Sequence, residues 1–527
     1  MKKIALFYFM LLFALSANAQ TKINEAIGGP NDDEAIYATP TVDGGYVIVG
    51  WTTSYGIWGW DIYLAKTDST GNILWTKTYG ANGDEVDCFV QQTSDNGFII
   101  TARSNSFGAG SADVYLIKTN SVGDLEWSKT IGGSNWEEGH AVLQTADGGY
   151  IHCGFTKSFG AGGDDYYVIK NDANGNLLWT KTYGGSGDEP AHFIQQTLDG
   201  GFIVGGATTS FGNGGWDYYL VKIDSAGNQQ WSKTYGGAGD DQGWSVQQTS
   251  DGGYIIGGFT NSFGAGAEDY WMVKTDVNGI VEWSKTYGGI NSDECYSVRQ
   301  TSDGGYVLAG STTSFGAGST DIYLIKTDAQ GNAEWTKTYG GTGDEMTQCV
   351  SQMTDGGYLI GGYTSSFGSG SRDFYLIKTD SQGNSGGCYE TTFITNGVSQ
   401  TVSAQSQTSS VSSGGILGTP QTLVSGGGIK TLCTPTGVSS PADAKSSLSI
   451  YPNPANGECS FNFTLEQNAE ATIEIFNAEG KLVESKSVSS LIRSTTINIS
   501  SLANGTYFCK LISGGKDIAT KKLVVQN

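Results

Sequence analysis

A few aromatic and histidine side chains interrupt an otherwise regular sequence pattern, and these side chains are the best candidates to bind a ligand. One group lies in a column of positions 52 residues apart, whose members are Ile36, Cys88, His140, His192, Trp244, Tyr296 and Gln348. A second group adds tryptophans to loops that are elsewhere mostly small or acidic, at Trp58, Trp60, Trp136 and Trp216. Aromatic faces with polar ring atoms can stack on a sugar or hold a peptide. The predicted ligand-binding residues are therefore Trp58, Trp60, Trp136, His140, His192, Trp216, Trp244 and Tyr296. Alternatively, the large rings only fill a central channel and cover loop glycines.

Two acidic positions and one lysine recur in every repeat, which raises the question of a metal site. The first acids are Asp33, Glu85, Glu137, Glu189, Asp241, Asp293 and Glu345; the second are Asp61, Asp113, Asp165, Asp217, Asp269, Asp321 and Asp373; the lysines are Lys66, Lys118, Lys170, Lys222, Lys274, Lys326 and Lys378. A ring of carboxylates could bind calcium through oxygen ligands. Alternatively, the acids accept backbone N–H groups in tight loops, and the lysines pair with them or lie between repeats. The sequence favours this structural role, because a feature of every repeat usually builds the repeat. The sequence leaves calcium binding by these acids undecided, and it predicts no other cofactor.

The sequence contains no established catalytic motif. It lacks a GxSxG elbow, an HExxH zinc motif, a CxxC metal knuckle and a phosphate-binding glycine loop ahead of a helix. Paired carboxylates are so common in this chain that they single out no glycosidase pair. We therefore predict no catalytic residue and favour a binding module for a glycan or a protein. A secreted hydrolase acting at a channel mouth and a purely structural surface component are the alternatives.

These positions recur because the chain contains seven repeats of 52 residues. A block related to DGGY places an aspartate at Asp43, Asp95, Asp147, Asp199, Asp251, Asp303 and Asp355. A tryptophan keeps the same step from Trp75 to Trp335. Fixed periods of this length are typical of repeat architectures.

Each repeat is predicted to form four short strands. In residues 188–237 the runs EPAHFIQQT, FIVGGATTS, DYYLVKID and QQWSKTYGG are separated by turns that contain Gly, Asp or Asn, the pattern of antiparallel hairpins. In the third run, Tyr218 and Leu220 lie on one face, and Tyr219 and Val221 on the other. Both faces are apolar, so both must be covered. A radial stack of four-stranded sheets, which is a β-propeller, covers them.

The two ends of the repeat region predict that the stack closes into a ring. The seventh repeat has the third strand DFYLIKTD, but Gly387 stands where the tryptophan should follow. The missing strand lies near the N-terminus, where INEAIGG aligns with WTKTYGG and Ile23 takes the tryptophan position. We therefore predict an all-β fold with a monomeric seven-bladed β-propeller over residues 20–384, in which an N-terminal strand latch closes the last blade. The repeat resembles the bacterial seven-bladed β-propeller repeat family, which implies the fold but no single activity.

The N-terminus is typical of a secretory signal peptide over residues 1–19. Lys2 and Lys3 precede an apolar run, and the small residues 17–19 form a cleavage site. No other stretch is apolar for long enough to predict a transmembrane segment. The formal net charge of −23 argues against nucleic-acid binding, because phosphates require a basic surface.

The eight cysteines fall into two groups. Those inside the repeats are predicted to be buried small residues, at Cys88, Cys153, Cys295 and Cys349. The candidate disulfides of an exported protein are Cys388 with Cys433 and Cys459 with Cys509.

Two further segments follow the repeats. Residues 385–445 are rich in Ser, Gly and Thr and are predicted to be a linker or a small irregular β segment. Residues 446–527 read as alternating strands with turns and are predicted to form an immunoglobulin-like β-sandwich.

The last segment resembles the type A C-terminal sorting domain of the type IX secretion system. The matching motif residues are Tyr451, Pro452, Asn453, Pro454, Gly457, Gly505, Tyr507, Lys521 and Lys522. The resemblance implies that the type IX machinery carries the protein across the outer membrane of a Gram-negative bacterium. The protein would then be released or held on the cell surface.

Overall fold

The computed structural model describes residues 22–387 without interruption, followed by 390–393, 398–400, 405–406, 410–412, 416–418, 428–431, 448–456, 458–463, 470–477, 481–489, 494–513 and 516–526. The predicted signal peptide lies outside these residues. The chain divides into two units, Met1–Pro435 and Thr436–Asn527. Secondary structure within the described residues consists of β-strands without a helix, which confirms the all-β class.

Repeated four-stranded antiparallel sheets make up the first unit, as the sequence predicts. Its strands within residues 22–387 are β1 Ile23–Gly28, β2 Asp33–Pro40, β3 Tyr46–Thr52, β4 Asp61–Thr67, β5 Ile73–Tyr79, β6 Glu85–Gln92, β7 Phe98–Ser104, β8 Asp113–Thr119, β9 Leu125–Gly132, β10 Glu137–Gln144, β11 Tyr150–Thr156, β12 Asp165–Asn171, β13 Leu177–Gly184, β14 Ala191–Gln196, β15 Phe202–Thr208, β16 Asp217–Ile223, β17 Gln229–Tyr235, β18 Asp241–Gln248, β19 Tyr254–Thr260, β20 Asp269–Thr275, β21 Val281–Tyr287, β22 Asp293–Gln300, β23 Tyr306–Thr312, β24 Asp321–Thr327, β25 Ala333–Tyr339, β26 Glu345–Gln352, β27 Tyr358–Thr364 and β28 Asp373–Lys378. Each sheet pairs four strands in chain order, from β2-β3-β4-β5 to β22-β23-β24-β25, and β1 completes β26-β27-β28. The first strands of successive sheets contact one another, and β2 contacts both β6 and β26.

The third strand of a repeat is buried on both faces, which explains why the sheets stack. Every residue of β16 is buried. Tyr219 and Val221 belong to a hydrophobic core shared with the preceding sheet. Tyr218 and Leu220 belong to a core shared with the following sheet. Each such sheet therefore fills the space between two like neighbours, as the apolar character of both faces predicts.

The N-terminal strand completes the sheet of the seventh repeat. β1 pairs antiparallel with β28, and Ile23 lies opposite Lys378. Trp335 lies opposite Lys326 in the preceding sheet, so Ile23 holds the tryptophan position. Ile23 and Ile27 are buried in a core shared by the first and last repeats. A closed seven-bladed ring requires these contacts; the blade count and the closure themselves stay predictions.

The recurring acids and lysines bond within the scaffold. Each third-strand lysine forms an ion pair with the aspartate of the DGGY-like turn, in the pairs Lys66–Asp43, Lys118–Asp95, Lys170–Asp147, Lys222–Asp199, Lys274–Asp251, Lys326–Asp303 and Lys378–Asp355. Asp217 Oδ2 accepts the Asn213 N–H at 3.0 Å, and Glu189 Oε2 accepts the Gly185 N–H at 2.6 Å. The acids therefore hold loops, and the lysines pair with the turn aspartates instead of with these acids. Among the described residues, no group of three or more His, Cys, Asp or Glu is placed to hold a metal ion.

The segment predicted to be a linker or a small irregular β segment contains short strands that pair with the outer edges of the sheets. These strands, which we name the belt, are β29 Glu390–Phe393, β30 Val398–Gln400, β31 Gln405–Ser406, β32 Ser410–Ser412, β33 Ile416–Gly418 and β34 Gly428–Thr431. In order, they pair antiparallel with β25, β21, β17, β13, β9 and β1. The first five belt strands therefore pair with the sheets in reverse chain order, and the sixth pairs with β1 in the last sheet. Among the described strands, none of the belt pairs with the sheet of β2 to β5, which has four strands.

The second unit contains two sheets around one core. Its described strands are β35 Leu448–Asn456, β36 Glu458–Phe463, β37 Glu470–Phe476, β38 Leu482–Ser489, β39 Ser494–Asn498, β40 Gly505–Ser513 and β41 Lys516–Val525. The start of β35 pairs with β36, whereas Ala455 near its end pairs with Val525 of β41. The register breaks between Tyr451 and Asn456, a position that suits prolines, which lack an N–H donor. Buried residues of both sheets share one hydrophobic core, as in a β-sandwich.

The cysteines within the described residues are buried free thiols. Cys88, Cys153, Cys295 and Cys349 are buried, as predicted. Cys459 on β36 and Cys509 on β40 are also buried and free, so the disulfide suggested for them is wrong. They pack in the sandwich core, where a thiol acts as a small apolar group. The other candidate pair, Cys388 with Cys433, lies outside the described residues.

Candidate functional site

The predicted column of repeat-breaking residues surrounds one cavity. The cavity has a volume of about 310 Å³ and is lined mainly by the first strands of the sheets. The column members on its wall are Ile36, Cys88, His140, His192, Trp244, Tyr296 and Gln348. Equivalent positions of successive repeats come together here because successive first strands contact one another.

Aromatic rings stack on one another along the cavity wall. The ring centroids of His140 and His192 lie 5.2 Å apart, with an interplanar angle of 11°. His192 stacks on Trp244 at 3.9 Å and 16°, and Tyr296 meets Trp244 edge-on at 5.0 Å. Neighbouring rings therefore cover the faces of His192, and the stack offers a ligand mainly ring edges. His192 Nε2 and Trp244 Nε1 are buried without a hydrogen-bond partner among the described residues.

A network of charged side chains lies beside this stack. Arg103 Nε bridges two carboxylates, 3.2 Å from Asp87 Oδ2 and 3.3 Å from Glu138 Oε1. Glu138 also accepts the Trp136 Nε1–H at 2.6 Å and lies 3.1 Å from His140 Nε2. Arg103 lies over the Trp136 ring, 4.7 Å from its centroid. Asp87, Glu138 and His140 reach the cavity wall, whereas Arg103 and Trp136 hold them in place.

The network gives neighbouring groups opposite pKa shifts. Burial and the Glu138 carboxylate raise the pKa of Asp87. Burial would raise the pKa of Glu138, but the hydrogen bond from His140 lowers it. Burial would lower the pKa of His140, but Glu138 raises it. Burial and the charge of His140 lower the pKa of His192 well below its usual range.

Asp87 also has an unusual backbone conformation. Its φ is +57°, in the left-handed region that non-glycine residues seldom adopt. It lies at a β-bulge of β6, at the position held by Gly139 in the next repeat. Bulges re-aim side chains, and strained backbone is concentrated at functional sites. The bulge here directs an acid into the cavity.

The other predicted tryptophans lie in loops. Trp58 is 75% exposed and, with Trp60, lines a separate depression of about 350 Å³ formed by residues 53–60 and Asp84. Trp216 lies in the loop before β16, where its backbone N–H donates to Asp240 Oδ1 at 3.0 Å. The structure therefore brings His140, His192, Trp244 and Tyr296 together. It places Trp58 and Trp60 in a separate depression and Trp216 in the loop before β16.

Several residues of the cavity were missed by the sequence analysis. They are the charged or aromatic lining residues Asp87, Glu138, Phe193 and Arg299, with the supporting Arg103. The signal was present, because Asp87 stands where the other repeats have a small bulge residue and Arg299 stands where the other repeats have an uncharged residue, in three of them glutamine. Charged side chains break the repeat at these positions just as aromatic rings and histidines do elsewhere.

Comparison with known families identifies the last domain. Residues 449–526 match the family model of the secretion system C-terminal sorting domain. The chain thus combines repeated antiparallel sheets with a type IX sorting domain, and this domain supports export to the medium or to the cell surface. No helix in the described part of the chain is long and apolar enough to cross a membrane.

The motif residues of the sorting domain lie on three of its strands. Tyr451, Pro452, Asn453 and Pro454 are on β35, Gly505 and Tyr507 on β40, and Lys521 and Lys522 on β41; Gly457 lies outside the described residues. Tyr507 is buried, and its hydroxyl donates to Ala503 O at 2.9 Å. Lys521 and Lys522 are exposed.

One curated relative shows a partial similarity. The "Regulatory protein FlaEY" of Caulobacter vibrioides is 27% identical over 142 residues. The match covers 23% of this chain and 15% of that protein. The chain therefore spans only a small part of that relative.

Proposed function

We propose that this protein is exported by the type IX machinery of a Gram-negative bacterium and binds a glycan in the cavity among its first strands. The observation that carries the proposal is that His140, His192, Trp244 and Tyr296 share one cavity wall with the charged side chains of Asp87, Glu138 and Arg299. Positions shared by the repeats build the sheets, whereas these lining residues differ in type from one repeat to the next. A ligand site grafted onto a repeated scaffold has this distribution.

The dimensions and chemistry of the cavity favour a sugar unit over a protein surface. Its volume of about 310 Å³ is at the lower end for small-ligand pockets, which are mostly apolar with a few polar groups. The wall combines aromatic edges with carboxylate, imidazole and guanidinium groups. A protein ligand would need a broad complementary patch, or would insert a single side chain.

A conservative pair of tryptophan variants tests the proposal. Trp244→Phe keeps a ring in the stack but removes part of the indole edge that lines the cavity. We expect glycan affinity to fall about fivefold, since an aromatic contact contributes about 1 kcal/mol. Binding is measured by glycan array and then by fluorescence titration. Trp283→Phe, in the outer strand β21, is the control and should bind like the wild type. Equal binding by both variants, or an array without any hit, would count against the proposal.

A hydrolase is the second candidate, because one specific carboxylate pair now stands out. Asp87 and Glu138 share Arg103 and have pKa values shifted in opposite directions. Such a difference is the signature of an acid and base pair. Release of sugars from polysaccharides by the wild type, but not by Asp87→Asn, would establish this activity. If the wild type binds a polysaccharide but releases no sugar from it, the hydrolase is excluded and the binding function is retained.

A further inference from the structure

Arg299 lines the cavity and has only uncharged partners. Its Nη1 donates to Ser245 Oγ at 2.8 Å and to Val298 O at 2.7 Å. Its guanidinium carbon lies 4.7 Å from the centroid of the Phe193 ring. The side chain is partly buried, and among the described residues it forms no ion pair within 4.0 Å. A cation withdrawn from water is costly unless an anion or several hydrogen bonds compensate it.

The other described arginines of the first unit show the usual arrangement. Arg103 lies over Trp136 and is paired with Asp87 and Glu138. Arg372 lies over Tyr363 and forms an ion pair with Glu34 at 2.6 Å. Each of them combines an aromatic contact with a carboxylate partner. Arg299 has the aromatic contact without the carboxylate.

The equivalent positions of other repeats show which hydrogen bond is absent at Arg299. Equivalent glutamines accept a backbone N–H from the next sheet through Oε1, in the pairs Gln91–Gln144, Gln195–Gln248 and Gln247–Gln300. A guanidinium has no acceptor atom, so Arg299 cannot make this bond. Three of the other six repeats make this bond between neighbouring sheets, whereas Arg299 instead places a positive charge at the cavity.

The rest of the wall is compatible with an anion near Arg299. Aromatic ring edges carry partial positive charge, and the stack that contains His192 presents its edges. Asp87 and Glu138 are already held by Arg103 and His140. Among the described residues that line the cavity, Arg299 is therefore the cation without a carboxylate within 4.0 Å.

We propose that the ligand carries an oxyanion, and specifically that the sugar unit is acidic, with its carboxylate bound by Arg299. This inference rests on the proposed glycan function. A guanidinium binds a carboxylate through two parallel hydrogen bonds, and these charge-assisted bonds are stronger than neutral ones. A carboxylated sugar would supply both the missing counter-ion of Arg299 and the hydroxyl groups that fit the polar wall.

The test compares matched ligands and matched arginine variants by titration calorimetry on the full chain. The ligands are galacturonic acid and galactose, and inorganic phosphate and sulfate are added as simple oxyanions. The variants are Arg299→Gln, Arg299→Lys and the control Arg372→Gln, each with its melting temperature measured. We expect the wild type to bind galacturonic acid about tenfold or more tighter than galactose. Arg299→Gln should lose this preference, Arg299→Lys should keep part of it, and Arg372→Gln should keep it.

Each outcome separates the inference from the function on which it rests. Equal binding of both sugars by the wild type, or an unchanged preference in a folded Arg299→Gln variant, would overturn the acidic ligand while leaving glycan binding in place. Phosphate or sulfate binding that requires Arg299, without sugar binding, would support the oxyanion site and refute the glycan. Absence of any binding would refute both.

Discussion

His140 sets the charge of the cavity wall, because both of its ring nitrogens face acceptors. Nδ1 lies 2.8 Å from Ala191 O, and Nε2 lies 3.1 Å from Glu138 Oε2. A ring that donates from both nitrogens is an imidazolium. Burial and the charge of His140 lower the pKa of the adjacent His192. The two stacked histidines therefore have pKa values shifted in opposite directions, and the upward shift at His140 depends on Glu138.

The histidines provide a direct test of the network, since the chain contains only three of them. Nuclear magnetic resonance titration should give His140 a pKa above the usual value of about 6.5. Burial lowers the pKa of His152 to about 4, and His192 should also titrate below the usual range. Glu138→Gln should lower the pKa of His140, because it removes the anion that favours the charged ring. A His140 pKa below 6 in the wild type would contradict the assigned network.

The strand β1 is the element on which the closed fold depends. Ile27 is fully buried between the first and last repeats. The pairing of β1 with β28 and with the belt strand β34 also protects an edge that would otherwise be exposed. Loss of β1 would remove both the core contact and the edge protection.

Deletion of residues 21–29 should lower the melting temperature strongly, since it removes β1 from the last sheet. Ile27→Ala is the milder variant and should cost about 2–5 kcal/mol in urea unfolding, which is typical of a buried aliphatic truncation. Leu74→Ala is the control, because Leu74 is 57% exposed, and it should change stability by less than about 0.5 kcal/mol. An unchanged melting temperature after the deletion would rule out the latch.

At the scale of the whole molecule, the same pKa shift recurs at equivalent aspartates of several repeats, and the shifts add up in their effect on stability. Hydrogen bonds from neighbouring residues outweigh burial and lower the pKa to about 2 at Asp43, Asp95, Asp147, Asp199, Asp251 and Asp303. Burial raises the pKa to about 6 at Asp61, Asp165, Asp217, Asp269 and Asp321. The two sets act in opposite directions on stability.

The stability of the protein should therefore be highest at moderately acid pH. As pH falls from 7 through about 6, the folded state takes up protons at the second set, so the free energy of unfolding rises. As pH falls below about 4, the unfolded state takes up protons at the first set, so the free energy of unfolding falls toward pH 2. Thermal unfolding across this range measures the profile. A melting temperature that declines steadily from pH 7 to pH 4 would contradict these shifts.

The repeat period was enough to predict the sheets and the column, but not the charged contacts between repeats. Ile23 and the residues of β16 were assigned correctly because pairing and burial follow local pattern. The contact of Arg103 with Glu138 depends on how far a long side chain reaches across to another sheet. A small irregular β segment was one of the two predictions for residues 385–445, but the pairing of the belt with the sheet edges was not predicted, because its Ser- and Gly-rich sequence lacks the apolar alternation of a strand.

The central claim is that the departures from the repeat form a ligand site, and a crystal structure tests it most directly. Crystals of the full chain would be soaked with the sugar that binds tightest in the titrations. We predict sugar density in the cavity between Trp244 and Arg299, both of which line it, with an oxyanion at the guanidinium. Density confined to another surface, with the cavity closed by its own side chains, would contradict the claim.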